Sequence, residues 1–185
     1  MGGTAAVLAG LFYGAAGYLD RPGISGYDIT FVSLLSIAIP ALFLGGLMGL
    51  RLRILLATQT SLASGAGFVL GCFGAVMGMV GVLESGQATY SKLTEITNWW
   101  WVPLLAGLTL MGLGAFRKEG LGLLGAVVLI SGFLGWVSVL TDAAFPGVLV
   151  PLRPVHVAFA AAFCLSFVVW GLMMVVPQGP THPKS

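Results

Sequence analysis

Residues 62–83 read LASGAGFVLGCFGAVMGMVGVL and contain no Asp, Glu, Lys or Arg. A helix needs about 20 mostly apolar residues to cross a bilayer, so this segment is long enough to span one. Five of its glycines are spaced by four, three, four and three residues, which places them on one face of a helix. We call them the glycine face: Gly67, Gly71, Gly74, Gly78 and Gly81. Membrane helices associate by close packing of small residues, so we predict that this face is a helix-packing seam at the centre of a bundle.

The composition of the whole chain agrees with a membrane environment. Of its 185 residues, 58% are hydrophobic and only 8% are charged, whereas soluble domains carry roughly 25% charged residues. A disordered chain, a disulfide-rich scaffold and a coiled coil each need charge, cysteine or heptads that are missing here. With a net charge of +2, a basic nucleic-acid binder is excluded as well. We therefore predict an all-α integral membrane protein. Its partner is the lipid bilayer, and we predict no binding of nucleic acid.

Six charge-free runs predict six transmembrane helices in a single domain that covers residues 1–185. We place the helices near residues 3–19, 29–50, 62–83, 99–116, 121–141 and 155–176, followed by a polar C-terminal tail at residues 177–185. Lys and Arg are enriched in cytoplasmic loops. One side of the predicted bundle has Arg51, Arg53, Arg117, Lys118 and Lys184, and the other has Arg21, Lys92 and Arg153. This bias predicts a multipass protein of the cell membrane with both termini in the cytoplasm.

Three consecutive tryptophans, Trp99, Trp100 and Trp101, stand where the fourth helix would enter from outside. Indole rings favour the headgroup level because they are amphipathic. We predict that the three residues form an interfacial anchor.

The odd-numbered helices end in similar segments. These are residues 14–20 (GAAGYLD), 78–84 (GMVGVLE) and 135–142 (GWVSVLTD). In the even-numbered helices, Pro40 precedes LMGL at residues 47–50 and Pro103 precedes LMGL at residues 110–113 with the same spacing. These similarities favour three parallel helical hairpins of roughly 60 residues, an arrangement that differs from the inverted repeats common in secondary transporters.

The repeat places three acids, Asp20, Glu84 and Asp142, together at the outer end of the bundle. A helix C-terminus favours cations, so acids at the ends of three helices need another explanation. One explanation is an outer acidic ring that attracts a cationic solute. The alternative is that they are only the first charged residues beyond the membrane, with Arg21 and Arg153 neutralising two of them.

The chain offers little reactive chemistry. It has two histidines, and its cysteines Cys72 and Cys164 lie far from any second ligand at metal spacing. No charged residue falls in the middle of a predicted helix, where proton relays are found. We predict no metal, no cofactor, no catalytic residue and no enzymatic activity.

Two classes of function remain open. The small-residue faces favour a non-catalytic packing or accessory subunit of a membrane complex, with other membrane subunits or further copies of the chain as partners. The alternative is a small-solute carrier or the substrate-binding membrane subunit of a transporter, for an apolar or cationic solute. In size, six spans and cytoplasmic termini, the chain resembles the substrate-binding membrane subunits of energy-coupling-factor vitamin importers, and this resemblance of topology implies the second class.

Overall fold

The computed structural model describes residues 1–19, 29–57, 61–85, 99–118, 121–143 and 153–176. In these ranges the chain is helical and has no strand. The six helices are α1 (Gly2–Leu19), α2 (Ile29–Leu56), α3 (Leu62–Ser85), α4 (Trp101–Phe116), α5 (Gly122–Ala143) and α6 (Arg153–Val175). The all-α class and the number of helices are therefore as the charge-free runs predict.

The largest difference from the predicted helix boundaries is at the end of α2. Helix α2 continues through Arg51 and Arg53 to Leu56, beyond the predicted end near Leu50. A charge limits the apolar span, but arginine and leucine are both good helix formers and the helix continues through them. Helix α4 begins at Trp101, because Pro103 lacks an N–H and is tolerated only in the first turn of a helix.

The six helices form a closed ring. Each packs against the helix before and after it in the chain, and α1 packs against α6 to complete the circle. Neighbours run in opposite directions: a Cβ at Gly3, near the start of α1, would lie 2.6 Å from the carbonyl oxygen of Gly171, near the end of α6. One end of the ring carries Arg51, Arg53, Arg117 and Lys118, and we call it the arginine end. The opposite end carries Trp99–Trp101, and we call it the aromatic end.

The predicted central position of α3 is wrong. Among the described residues α3 contacts only α2 and α4, whereas α2 contacts α1 and α3 and, more weakly, α4 and α6. The spacing of the glycines does not identify a central helix, because glycines lie at every interface between neighbouring helices of the ring. Close approaches occur at Gly2 with Gly49, Gly10 with Cys164, Gly71 with Leu47, Gly67 with Gly107, Gly112 with Leu129 and Gly135 with Phe163.

Large apolar side chains fill most of the ring interior. On α2 they recur at Phe43, Leu47, Leu50 and Ile54, and on α4 at Leu104, Leu108 and Met111. These spacings of three and four residues form one stripe on each helix. The residues between the stripes are apolar too, and Phe73 on the outer side of α3 is 58% exposed. A helix that is apolar on all sides is typical of a protein interior or a membrane span.

Four helices are long and apolar enough to cross a membrane. Their apolar windows are Ala38–Leu56, Leu62–Gly81, Gly122–Thr141 and Val157–Val175. The apolar parts of α1 and α4 in the described residues, Gly2–Ala15 and Trp101–Phe116, are shorter.

Candidate ligand-binding cavity

A cavity of about 30 Å³ lies inside the ring near the aromatic end. Five helices or their first turns contribute to its wall, and α3 does not. The lining residues are Tyr13, Phe43, Trp100, Trp101, Leu104, Leu105, Gly135, Ser138, Val139 and Phe163. Because elements distant in sequence meet here, the cavity is a product of the closed ring and of no single helix.

Aromatic rings make up half of this lining. The Tyr13 ring lies 6.2 Å from Phe43 at an interplanar angle of 60°, and 5.8 Å from Phe163 at 83°. Trp100 lies 6.3 Å from Phe43. Edge and face contacts of this kind are favourable between aromatic rings. The Tyr13 ring is therefore steeply inclined to both phenylalanine rings and is not stacked face to face on either of them.

Helix α5 forms the part of the cavity wall that contains a glycine. Gly135, Ser138 and Val139 are spaced by three and one residues, so they share one face of the helix. A Cβ at Gly135 would contact Leu105, and would lie 2.9 Å from Cε2 of Phe163. The missing side chain at Gly135 therefore lets Leu105 and Phe163, two other residues of the lining, pack directly against the backbone of α5.

The polar groups of the lining side chains are few and uncharged. They are the hydroxyls of Tyr13 and Ser138 and the indole N–H groups of Trp100 and Trp101. The carbonyl oxygen of Ser138 accepts a hydrogen bond of 2.8 Å from Oγ1 of Thr141. An apolar, aromatic lining with a small number of polar groups is typical of sites for small molecules.

Below the cavity, toward the arginine end, the interior is closed by aromatic rings. Phe167 lies 4.8 Å from Phe43, 5.0 Å from Phe163 and 5.1 Å from Trp170. Trp170 is fully buried, and its Nε1 is a buried atom without a hydrogen-bond partner among the described residues. Together with the stripe on α2, these rings separate the cavity from the arginine end.

The glycine face lies between α3 and its two neighbours. A Cβ at Gly67 would be 2.7 Å from the carbonyl oxygen of Gly107, and one at Gly74 would be 2.5 Å from the nitrogen of Leu104. A Cβ at Gly71 would meet Leu47 of α2, and one at Gly78 would lie 2.9 Å from the indole of Trp100. Gly81 is partly exposed. The effect of these glycines on stability stays a prediction.

The three tryptophans differ in their surroundings. Trp99 is 61% exposed and lies 5.7 Å from Trp101. Trp101 also contacts Trp136 edge to face at 5.9 Å, and both Trp100 and Trp101 line the cavity. The anchoring role of the three residues at a membrane surface stays a prediction.

The acidic ring is described only in part. Asp20 lies outside the described residues, as do the segments 86–98, 144–152 and 177–185. Glu84 and Asp142 belong to the last turns of α3 and α5. Asp142 follows the cavity residue Ser138 by one helical turn, and the ring itself stays a prediction.

Sequence reasoning missed most of the cavity residues, including Tyr13, Phe43 and Phe163. One signal was present: Phe163, Phe167 and Trp170 are spaced by four and three residues and so form an aromatic stripe on one face of α6. Tyr13 and Phe43 are single aromatics in apolar helices, and no pattern marks them.

At the arginine end, polar side chains connect α2 to α3. Nη1 of Arg51 donates a 2.9 Å hydrogen bond to Oγ of Ser64, which is fully buried. The hydroxyl of Ser64 donates to the carbonyl oxygen of Ser61, and the backbone N–H of Ser64 donates to Oγ of Ser61. The hydrogen bond from the backbone N–H of Ser64 to Oγ of Ser61 caps the start of α3. The cluster therefore stabilises both the end of α3 and its contact with α2.

Other reactive groups are dispersed. Cys72 on α3 and Cys164 on α6 are free thiols, and the hydroxyl of Ser131 donates to the carbonyl oxygen of Val127 in its own helix. In the described ranges, no three His, Cys, Asp or Glu residues are grouped so that they could hold a metal ion.

Comparisons with protein-family models, with curated proteins and with solved structures find no match to this chain. The chemistry of the cavity is therefore the basis for a functional proposal.

Proposed function

We propose that the chain is a non-catalytic multipass membrane protein that binds one small molecule in the aromatic-lined cavity, as the substrate-binding membrane subunit of a transporter does. The observation that carries this proposal is the composition of the lining, in which residues from five helices enclose a space with five aromatic rings and two hydroxyls. Since the aromatic rings below the cavity close its path to the arginine end, the structure favours a binding subunit over an open channel.

The apolar exterior supports the membrane part of the proposal. Large side chains such as Phe73, Phe133 and Leu165 are exposed on the outer side of the ring, where lipid tails would cover them. We propose further that the protein lies in the cell membrane with its arginine end and both termini in the cytoplasm, on the basis of the excess of Lys and Arg on that side.

The second candidate is a non-catalytic accessory subunit that packs against partner membrane proteins or further copies of itself. The same apolar exterior favours it. The arguments for it from sequence are the glycine-rich helix faces, the absence of charged residues in the middle of the predicted helices and the lack of a catalytic constellation. In the ring these glycines are occupied by helices of the same chain, as Gly67 is by Gly107, and this use of the glycines makes ligand binding the better supported function.

The ring order also supports the threefold hairpin repeat, which remains a proposal. The three hairpins would be α1 with α2, α3 with α4, and α5 with α6, and each of these pairs is in direct contact. Their succession around the ring is the order that parallel repeats about a central axis would have.

The orientation can be tested by cysteine labelling. With Cys72 and Cys164 replaced by alanine, single cysteines in residues 86–98 and 144–152 are expected to react with a membrane-impermeant maleimide added to intact cells. A cysteine at Arg117 or Lys118 is expected to react only after the cells are permeabilised. Reaction of the latter positions in intact cells would reverse the orientation.

Ligand binding can be tested by filling the cavity. A leucine at Gly135 would displace the side chains of Leu105 and Phe163 into the cavity. Native mass spectrometry of the protein extracted gently from its own membrane is expected to show a bound small molecule on the wild type and none on Gly135→Leu.

The matched control is Gly122→Leu on the same helix. A Cβ at Gly122 meets only the carbonyl oxygen of Phe116, at an ordinary 3.7 Å, so this variant is expected to keep the bound molecule. Retention of the molecule by a folded Gly135→Leu protein would contradict the proposed site, and a wild type without any bound molecule would favour the accessory subunit.

A further inference from the structure

We propose that the ligand of this cavity is a methylated ammonium ion, held by cation–π contacts with the aromatic rings of the lining. This inference rests on the proposed function, since it names the chemical class of the molecule that the cavity binds. It is carried by the types of side chain in the lining and by the size of the cavity.

The aromatic content of the lining is the first argument. Five of its ten residues are aromatic, whereas aromatics make up 11% of the chain. The face of an aromatic ring is electronegative and attracts a cation that lies within about 6 Å of the ring centre. Tyr13 is inclined by 60° to Phe43 and by 83° to Phe163, so the planes of the rings in the lining point in different directions.

The membrane environment supplies the second argument. Lipid tails are as apolar as leucine side chains, so a neutral apolar molecule gains little when it leaves the bilayer for an apolar cavity. A cation that arrives from water gains contacts with ring faces, which lipid tails and aliphatic side chains do not offer. The aromatic lining therefore adds an attraction for positive charge that a purely aliphatic cavity would lack.

The third argument decides among cations. A primary ammonium carries three N–H donors and a guanidinium carries five, and donors left without acceptors in a buried site are costly. The side chains of the lining offer two hydroxyl oxygens, on Tyr13 and Ser138. A fully methylated ammonium has no N–H, so it needs no acceptor. Metal cations such as Mg²⁺ or Ca²⁺ need many oxygen ligands, which this lining does not offer.

The size of the cavity is the fourth argument. One water molecule needs roughly 10–15 Å³ of such a cavity, so a volume of about 30 Å³ suits a compact head group and excludes a large flat ring system. The cavity is partly open, so the remainder of the ligand can lie outside the aromatic cage.

The test uses choline and its neutral isostere 3,3-dimethylbutan-1-ol, in which a carbon atom replaces the nitrogen. Binding of radiolabelled choline to the full chain in lipid nanodiscs is expected to be saturable. Competition by 3,3-dimethylbutan-1-ol is expected to require at least about tenfold higher concentration than competition by unlabelled choline, as the cation–π contribution implies.

Two substitutions locate the effect. Phe163→Leu keeps an apolar side chain in the wall but removes a ring face, and it is expected to weaken choline binding about fivefold while leaving binding of the neutral isostere unchanged. Phe133→Leu, which alters an exposed ring on the outer side of α5, is the matched control and is expected to leave both ligands unaffected.

The outcomes separate this inference from the proposed function. Equal or tighter binding of 3,3-dimethylbutan-1-ol would show a cavity that binds small molecules without preference for charge, and would overturn the inference alone. The inference would likewise fail, and the proposed function stand, if choline did not bind while native mass spectrometry showed a different molecule that Gly135→Leu loses. Absence of any bound molecule in both experiments would overturn both.

Discussion

Replacing Gly107 by leucine is expected to force α3 and α4 apart and to lower the free energy of unfolding by roughly 3 kcal/mol or more, at the upper end of the usual cost of overpacking. A Cβ at this position would meet the backbone of Gly71 and would lie 2.6 Å from the carbonyl oxygen of Gly67. Backbone atoms cannot rotate away as a side chain can, so one of the two helices must move. The measurement is reversible unfolding in mixed detergent micelles, followed by circular dichroism.

Gly122→Leu serves as the control for this experiment too, because its only close neighbour is at an ordinary contact distance. It is expected to unfold within about 0.5 kcal/mol of the wild type, as substitutions away from packed features do. A Gly107→Leu protein that is as stable as this control would show that the two helices do not approach each other at Gly107.

The second large effect is expected at Trp170. Replacement by alanine removes the largest fully buried side chain of the ring, and a cavity of this kind costs roughly 3–5 kcal/mol. Replacement by phenylalanine is expected to cost much less, about 1.5 kcal/mol or below. The smaller ring still fills most of the space, and the substitution removes an indole N–H that has no hydrogen-bond partner among the described residues.

The comparison of the two Trp170 variants is the decisive one. Both lose the indole N–H, and only alanine also empties the space beside Phe167. If phenylalanine destabilised the protein as much as alanine does, the hydrogen-bonding capacity of the indole would matter more than its volume, and the interior would have to contain a partner for Nε1.

Much of the architecture could be predicted from the chain alone, since helices in lipid must satisfy their own backbone and be apolar over their length. The runs without charge therefore mark all six helices. Their ends are less well marked. At Arg51 and Arg53 the charge ends the apolar run without ending α2, because the propensity for helix is a local property of the backbone and the preference for lipid is a property of the side chain.

The candidate site was only partly visible. Trp100 and Trp101 stood out as a cluster in sequence, but their contact with Tyr13, Phe43 and Phe163 depends on ring closure. A single aromatic residue in an apolar helix has the same sequence context whether it faces lipid or the interior. For that reason these apolar helices carry little amphipathic signal, and the orientation of each helix could not be predicted.

The sequence by itself determined the class of the fold: its charge-free segments and its glycine spacing specify six apolar helices that can pack closely. Only the tertiary structure decided that these helices form a ring, that α3 is one member of the ring and not its centre, and that a cavity remains near the aromatic end. The physical reason is that the helices are apolar on all sides, so hydrophobicity alone does not specify which side of each helix is buried. Shape complementarity between particular side chains, such as Gly67 against Gly107 and Trp100 against Gly78, sets the arrangement instead.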